Sequence, residues 1–317
     1  MSTCYRVNYV AHIDPFAWSG GGEVIARALI EAGERLGHRI RRTCVYPRAI
    51  DDRFESPDFW LLTDVHNRPG RWPRRLPAGL LERVVARERY VHLDNAYVDV
   101  CDLPYLPCNG QVEGDECPYK RGRWFRSRAC ARLGAEEMYR RAALNIFLSP
   151  LHRATITRLL ADPMEGRAFA MRPAIDTSRF RNEGRVRDIE YLYLGYINEA
   201  KGADNLAREF PDGSLTLAGQ LVDARYATLG RQLGPVPPAE VPGLLNRGRV
   251  FVHLPRWPEP QGRTVAEAAL CGCELRTNDR VGATSFGLDL ADPATYEGAL
   301  DETWDAIHRA VEAHSAA

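Results

Sequence analysis

The chain repeats one pattern: a short apolar strand, a turn, a helix, then a strand again. Apolar runs predict strands over 5–11, 39–46, 59–63, 90–93, 144–148 and 168–173, with helices over 23–36, 77–87, 131–141 and 150–160 between them. The rhythm restarts with strands over 189–195, 214–218, 249–254 and 274–277. Helices over 203–209, 237–246 and 264–271 separate these, and one over 295–313 closes the chain. Strands alternating with helices predict parallel sheets joined by crossover helices. Ligands of such sheets lie beyond the carboxyl ends of the strands. With 317 residues there is chain enough for two such domains. The expected boundary lies in the polar stretch 175–187, giving domains 1–175 and 176–317.

Glu259 and Glu267 stand eight residues apart in WPEPQGRTVAEAALCGCELRTN, residues 257–278. Glu259 falls in a loop before Pro260. Glu267 falls one turn inside a predicted helix that opens at Gly262-Arg263-Thr264. A loop carboxylate can accept hydrogen bonds from sugar hydroxyls, and a second one turn on can take the two hydroxyls of a ribose. Between them, a helix start offers backbone N–H groups and a positive dipole end suited to a diphosphate. The same residues also fit a capping box, with Glu267 bonded back to the Thr264 backbone.

Charge balances at 42 basic against 42 acidic residues, so nothing in the composition demands a nucleic-acid partner or an acidic substrate. The first residues lack the apolar run of a signal peptide, and no stretch reaches the ~20 apolar residues of a membrane span. These features predict a cytoplasmic protein. Only Lys120 and Lys201 among the basic residues are lysine, the rest being arginine. Four of the eight cysteines, Cys101, Cys108, Cys117 and Cys130, crowd one Pro/Gly-rich insertion over about 95–130. No Cys-x-x-Cys occurs, so reduced thiols are expected ahead of a structural metal held by those four.

The glutamate pair resembles the donor-binding signature of the retaining glycosyltransferases of the B-type fold, the large group-1 or family 4-like class. Other pieces are similar to that family in the same order: Ser19-Gly20-Gly21-Gly22-Glu23 after the first strand, Gly37-His38-Arg39-Ile40, Leu148-Ser149-Pro150, RPAIDTSRF over 172–180, LGYINEAKG over 194–202 and VFVHLP over 250–255. The resemblance implies an α/β fold of two Rossmann-like domains whose parallel sheets face a central cleft, the first on the acceptor side and the second binding a nucleotide-sugar donor. It implies transfer from a UDP- or GDP-linked sugar with retained configuration and no cofactor. No Asp-x-Asp motif is present, so no catalytic metal is expected.

Carried onto matching positions, the resemblance gives Glu259 the hydroxyls of the transferred sugar, Glu267 the ribose and Lys201 the diphosphate. Gly21 and Gly22 would let backbone approach the phosphates, with Gly262, Arg263 and Thr264 offering N–H groups. His92 would face the donor sugar, and His12 and Asp14 are acceptor-side candidates. One position departs from the pattern: Gly195-Tyr196 stands where the family has Gly-Arg. Arg263 is the expected replacement for that charge. The acceptor is open between a glycan, a lipid, a small molecule and DNA. Arg/Trp-rich stretches at 68–75 and 120–132 suit a phosphate backbone with stacked bases. An enzyme acting on a modified DNA base, of viral kind, is therefore the second reading. A nucleotide-sugar-binding protein without turnover is the third.

Overall fold

The computed structural model describes residues 4–17, 20–65, 75–103, 105–111, 117, 119 and 130–314. Ser19 and nearly all of both Arg/Trp-rich stretches lie outside them. In chain order the first sheet takes β1 (Arg6–Ala11), β2 (Arg39–Cys44), β3 (Ile50–Asp51), β4 (Phe59–Thr63), β5 (Tyr90–Asp94), β6 (Leu144–Phe147) and β7 (Ala168–Ala170). Its helices are α1 (Gly21–Arg35), α2 (Leu80–Arg87), α3 (Glu136–Arg141) and α4 (Pro150–Leu160). The second sheet takes β8 (Ile189–Leu194), β9 (Leu215–Ala218), β10 (Arg231–Gly234), β11 (Gly248–His253) and β12 (Glu274–Thr277). With it run α5 (Ala203–Glu209), α6 (Val241–Leu245) and α7 (Arg263–Leu270), and α8 (Ala299–Ala313) ends the chain.

Strand order in the first sheet is β3-β2-β1-β4-β5-β6-β7, all parallel except the short β3. In the second it is β10-β9-β8-β11-β12, all parallel. Each order starts in the middle, runs outward, then reverses to the other side, as in doubly wound sheets. The reversal lies between β1 and β4 in one sheet and between β8 and β11 in the other. Strands covered on both faces should read as continuous apolar runs. Phe59–Thr63 and Tyr90–Asp94 are buried at every position. Apolar clusters line both faces of the second sheet, one around Phe251, Val265 and Leu270 and the other around Tyr193, Leu215 and Val252.

The chain divides into a first unit of 1–148, 153–171 and 298–317 and a second of 149–152 and 172–297. The last helix therefore packs on the first unit, not on the second domain as the sequence suggested. Gly33, inside α1, explains why. A Cβ there would lie 2.2 Å from Cζ2 of Trp304, so the glycine is a notch that admits the indole. Trp304 is fully buried and donates its Nε1–H to the Leu29 carbonyl at 2.9 Å. Glycine in a helix interior costs about 1 kcal/mol relative to alanine, which the buried Trp304 ring offsets at about 25 cal/mol per Å² of apolar area. Among the described residues, no helix is long and apolar enough to cross a membrane.

Beside that notch, His38 and His308 meet through their Nε2 atoms at 2.9 Å, and the Tyr5 N–H approaches His38 Nδ1 at 3.2 Å. With Nδ1 accepting, His38 must donate from Nε2 and His308 must accept. Burial, and the charge of His308, hold His38 below the usual histidine value. Burial also lowers His308, against the pull of Asp305 and Glu312. Tyr5 packs on both rings and reaches toward Glu312 at 3.4 Å.

Two outcomes are expected. Gly33→Ala should destabilise the protein by about 2 kcal/mol, opposite in sign to its helix propensity, because overpacking outweighs the gain. Denaturant unfolding checks this, and Trp304→Phe should recover part of the loss. The unfolded chain takes up histidine protons near pH 6.5, whereas the folded pair takes them up only at lower pH. The stability from this contact is thus present above about pH 6.5 and lost as pH falls below it. His308→Gln still accepts from His38 and should reduce the drop in melting temperature between pH 7.5 and 5.5.

Candidate functional site

The loops after β8 and β11 spring from neighbouring strands at the point where the second sheet reverses its order. That geometry alone brings Lys201 and Glu259 together. In the first loop, Lys201 N–H donates to Asn198 Oδ1 at 2.8 Å. Gly202 follows at φ +86°, and a Cβ there would lie 1.9 Å from the Leu254 carbonyl oxygen. Only glycine lets this turn lie so close to the end of β11. In the second loop, the Glu259 backbone is fixed on both sides: its N–H donates to Arg280 O at 2.8 Å and its carbonyl accepts from Gly282 N at 3.0 Å. Pro260 O accepts from Ser149 Oγ at 2.6 Å.

Glu259 is buried, and its two oxygens have different partners. Oε1 pairs with Lys201 Nζ and Oε2 with His253 Nε2. Burial alone would raise the carboxyl pKa, but the Lys201 charge and the bonds from His253 and Lys201 outweigh it and hold the group far below the usual carboxylate range. Lys201 Nζ also stands 5.0 Å from the centroid of the Trp257 ring, a cation–π distance.

Eight residues on, α7 begins at Arg263, with Gly262 as its N-cap at φ 72° and no side-chain cap bond. The capping box over Thr264 and Glu267 therefore does not form. Glu267 Oε1 accepts from Arg263 Nε at 2.7 Å, an i,i+4 pair, and Arg263 also donates to the Ala174 carbonyl at 3.1 Å. Burial raises the Glu267 value above the usual carboxylate despite Arg263. The Arg263 guanidinium thus links the Glu267 carboxylate to the Ala174 carbonyl. Tyr196 itself is half exposed, and its carbonyl accepts from the Tyr193 hydroxyl at 2.8 Å. Gly262 and Thr264 stand at the first turn of α7, whose N–H groups have no intrahelical acceptor.

In the first unit, Gly21 and Gly22 open α1. A Cβ on Gly21 would meet open space, whereas one on Gly22 would lie 2.8 Å from the Asn95 side chain. His92 is fully buried inside β5. Its Nε2 lies 3.0 Å from Asp99 and its Nδ1 3.4 Å from Asn145. Burial would lower its pKa, but Asp99 and the nearby Asp94 raise it. Both ring nitrogens thus have partners within the first unit. Burial lifts Asp94, at the end of the same strand, to about 7, against His92 and the Tyr139 hydroxyl that donates to it at 2.6 Å. His12 and Asp14 follow β1 as expected, but both are buried. His12 Nδ1 meets Asp64 O at 2.7 Å, and Arg42 pairs with Asp14 at 2.5 Å. Cys101 is buried, Cys108, Cys117 and Cys130 are free thiols, and among the described residues no three His, Cys, Asp or Glu side chains converge as metal ligands.

Sequence patterning missed His253. The signal was present: it is the one ionisable residue in the apolar run Val250–Val252 and Leu254, at the carboxyl end of a central strand.

No protein-family model and no curated protein matches this sequence. Solved structures do. Sucrose-phosphate synthase from Thermosynechococcus elongatus is 15% identical, with a TM-score of 0.61 over 97% of this chain and 94% of that one. Anabaena HepE in complex with UDP and glucose is 13% identical, with 0.58 over 95% and 92%. An alpha-glucosyltransferase in complex with UDP-glucose and DNA containing an abasic site is 11% identical, with 0.54 over 98% and 92%. The chain has the B-type glycosyltransferase fold of these proteins, two mainly parallel sheets that each reverse strand order.

Arg263→Ala leaves a buried carboxylate without its partner and should destabilise the protein by about 3 kcal/mol. Thr264→Ala removes no cap bond and should cost under about 0.5 kcal/mol, against the ~1 kcal/mol of a lost N-cap. Equal losses in chemical denaturation would restore the capping box.

Proposed function

We propose that this protein is a glycosyltransferase that moves a sugar from a nucleoside-diphosphate sugar to an acceptor hydroxyl. The observation that carries the reading is the buried Glu259 carboxylate beside Lys201 at the strand-order reversal, with a helix N-terminus beginning three residues later. Lys201 and the first-turn N–H groups at Gly262, Arg263 and Thr264 meet the diphosphate. Glu259 accepts from the hydroxyls of the sugar and steadies positive charge at its anomeric carbon. Glu267, one turn inside α7 and oriented by Arg263, takes the ribose hydroxyls. Charge on the leaving diphosphate falls to Lys201 and the helix dipole, not to a divalent cation. Close approach of backbone at Gly21 to phosphate rests on the family resemblance alone.

Retention of configuration belongs to the same proposal and rests on the family resemblance. The acceptor hydroxyl attacks the anomeric carbon on the face the diphosphate leaves, and its proton passes to the departing phosphate oxygen. Solved neighbours that hold UDP and UDP-glucose support a UDP-linked donor ahead of a GDP-linked one. DNA as acceptor has one observation in its favour, the alpha-glucosyltransferase neighbour solved with DNA.

Incubation with UDP- and GDP-linked sugars, with and without DNA carrying hydroxymethylated bases, is the direct test. One donor should raise the melting temperature and release free nucleoside diphosphate slowly. Glu259→Gln should keep the fold and lower turnover by roughly 10²-fold. Glu267→Gln should weaken nucleoside and nucleoside diphosphate alike by about 1–3 kcal/mol, since the ribose is common to both. Binding with no release or transfer from any donor would favour the inactive binding protein. No binding at all, or normal turnover in Glu259→Gln, would remove the proposal.

A further inference from the structure

The two partners of Glu259 differ in how they are held. Lys201 sits on a turn, with its ammonium at the end of a flexible stem and a side chain that keeps 17% of its exposure. His253 is 2% exposed at the end of β11. Its ring lies nearly parallel to those of Tyr193 and Phe251, at 17° and 20°, with centroids 6.0 and 6.3 Å away. The Tyr193 hydroxyl is itself tied to the Tyr196 carbonyl. His253 Nδ1 is buried and has no hydrogen-bond partner among the described residues. Aromatic neighbours and the bond to Glu259 therefore set the ring, and because a carboxylate oxygen accepts, Nε2 carries the proton.

A diphosphate competes with Glu259 for Lys201. The Glu259 backbone is pinned between Arg280 and Gly282 and cannot follow the ammonium. When Lys201 turns to phosphate, one oxygen of a buried carboxylate loses its partner, and a buried carboxylate so exposed tends to protonate or rotate. We propose that His253 is the positioning residue that keeps Glu259 in place and charged while Lys201 leaves it for the diphosphate of the donor. Oε1 is then free for a sugar hydroxyl, and Oε2 stays on His253. Donor binding thereby uncovers the acceptor oxygen that the sugar needs. The inference rests on the nucleotide-sugar reading of this site.

Two variants separate positioning from mere packing. His253→Phe keeps a ring near Tyr193 and Phe251 but removes the donor, and His253→Gln returns an N–H near Nε2. The phenylalanine variant should bind nucleoside diphosphate within about threefold of wild type, yet lose roughly 10- to 100-fold in kcat for donor hydrolysis or transfer, the scale of a misplaced reacting group. The glutamine variant should recover most of that. Wild-type kcat in His253→Phe, an equal loss of nucleoside diphosphate affinity, or no recovery in His253→Gln would overturn the proposal. A readout without turnover stands beside these. Carbon-13 NMR of the Glu259 carboxyl in Lys201→Met, which imitates the departed ammonium, should show an ionised group at pH 6. Adding His253→Phe should raise its titration well above that of Lys201→Met alone. Identical titration in the two would overturn the proposal even if the protein transfers no sugar, whereas the shift without binding of any nucleotide would count against the glycosyltransferase reading alone.

Discussion

A carboxylate taken out of water must be met by charge and hydrogen-bond donors, and most of what is distinctive in the second unit follows from meeting that demand at Glu259. Lys201 can reach it only because Gly202 lets the turn after β8 lie against the end of β11. His253 can reach it because β11 runs beside β8 and ends where the order of the sheet reverses. The loop that carries Glu259 is bridged to Val281, so the carboxylate is presented from a fixed backbone. A second buried carboxylate, Glu267, is met in the same way by Arg263 one turn earlier. Lone buried charges are costly, and this unit leaves neither glutamate alone.

Much of this was legible in the residues. Both sheets announced themselves through apolar runs at regular spacing, and β4, α4, α5 and β12 begin and end where the pattern said. The misses have physical reasons. β3 is two residues long and pairs antiparallel at an edge, too short for any period to register. β10, Arg-Gln-Leu-Gly, has no apolar alternation and exists because β9 offers it an edge. The helix expected over 131–141 is a 3₁₀ turn followed by a shorter α-helix, and that over 237–246 divides likewise.

The site was read in part. Spacing alone placed Glu259 in a loop and Glu267 inside a helix, and the structure agrees. Spacing could not say which neighbour Glu267 would choose. Thr264 and Arg263 were both in range, and the αL conformation of Gly262 decided it by starting the helix one residue early. His92 was given the donor sugar by the family resemblance. Its partners, Asp99 and Asn145, come from a loop and a neighbouring strand whose pairing no local pattern reveals. The assignment of α8 failed for a related reason. A glycine in α1 and a tryptophan 271 positions later form one contact, and complementarity at that range is invisible until the fold is known.

That contact has a bearing on the order in which the protein is made. The first unit needs both ends of the chain, whereas residues 172–297 of the second lie wholly between them. During synthesis from the N-terminus, the second sheet has all its strands before Trp304 has been added. The notch at Gly33 stays open throughout that interval, with Leu29 and Ile30 beside it. The older half of the polypeptide is thus the last to close, and a chain cut short before Trp304 has every strand of its second sheet while its first unit still shows an apolar face to chaperones and proteases.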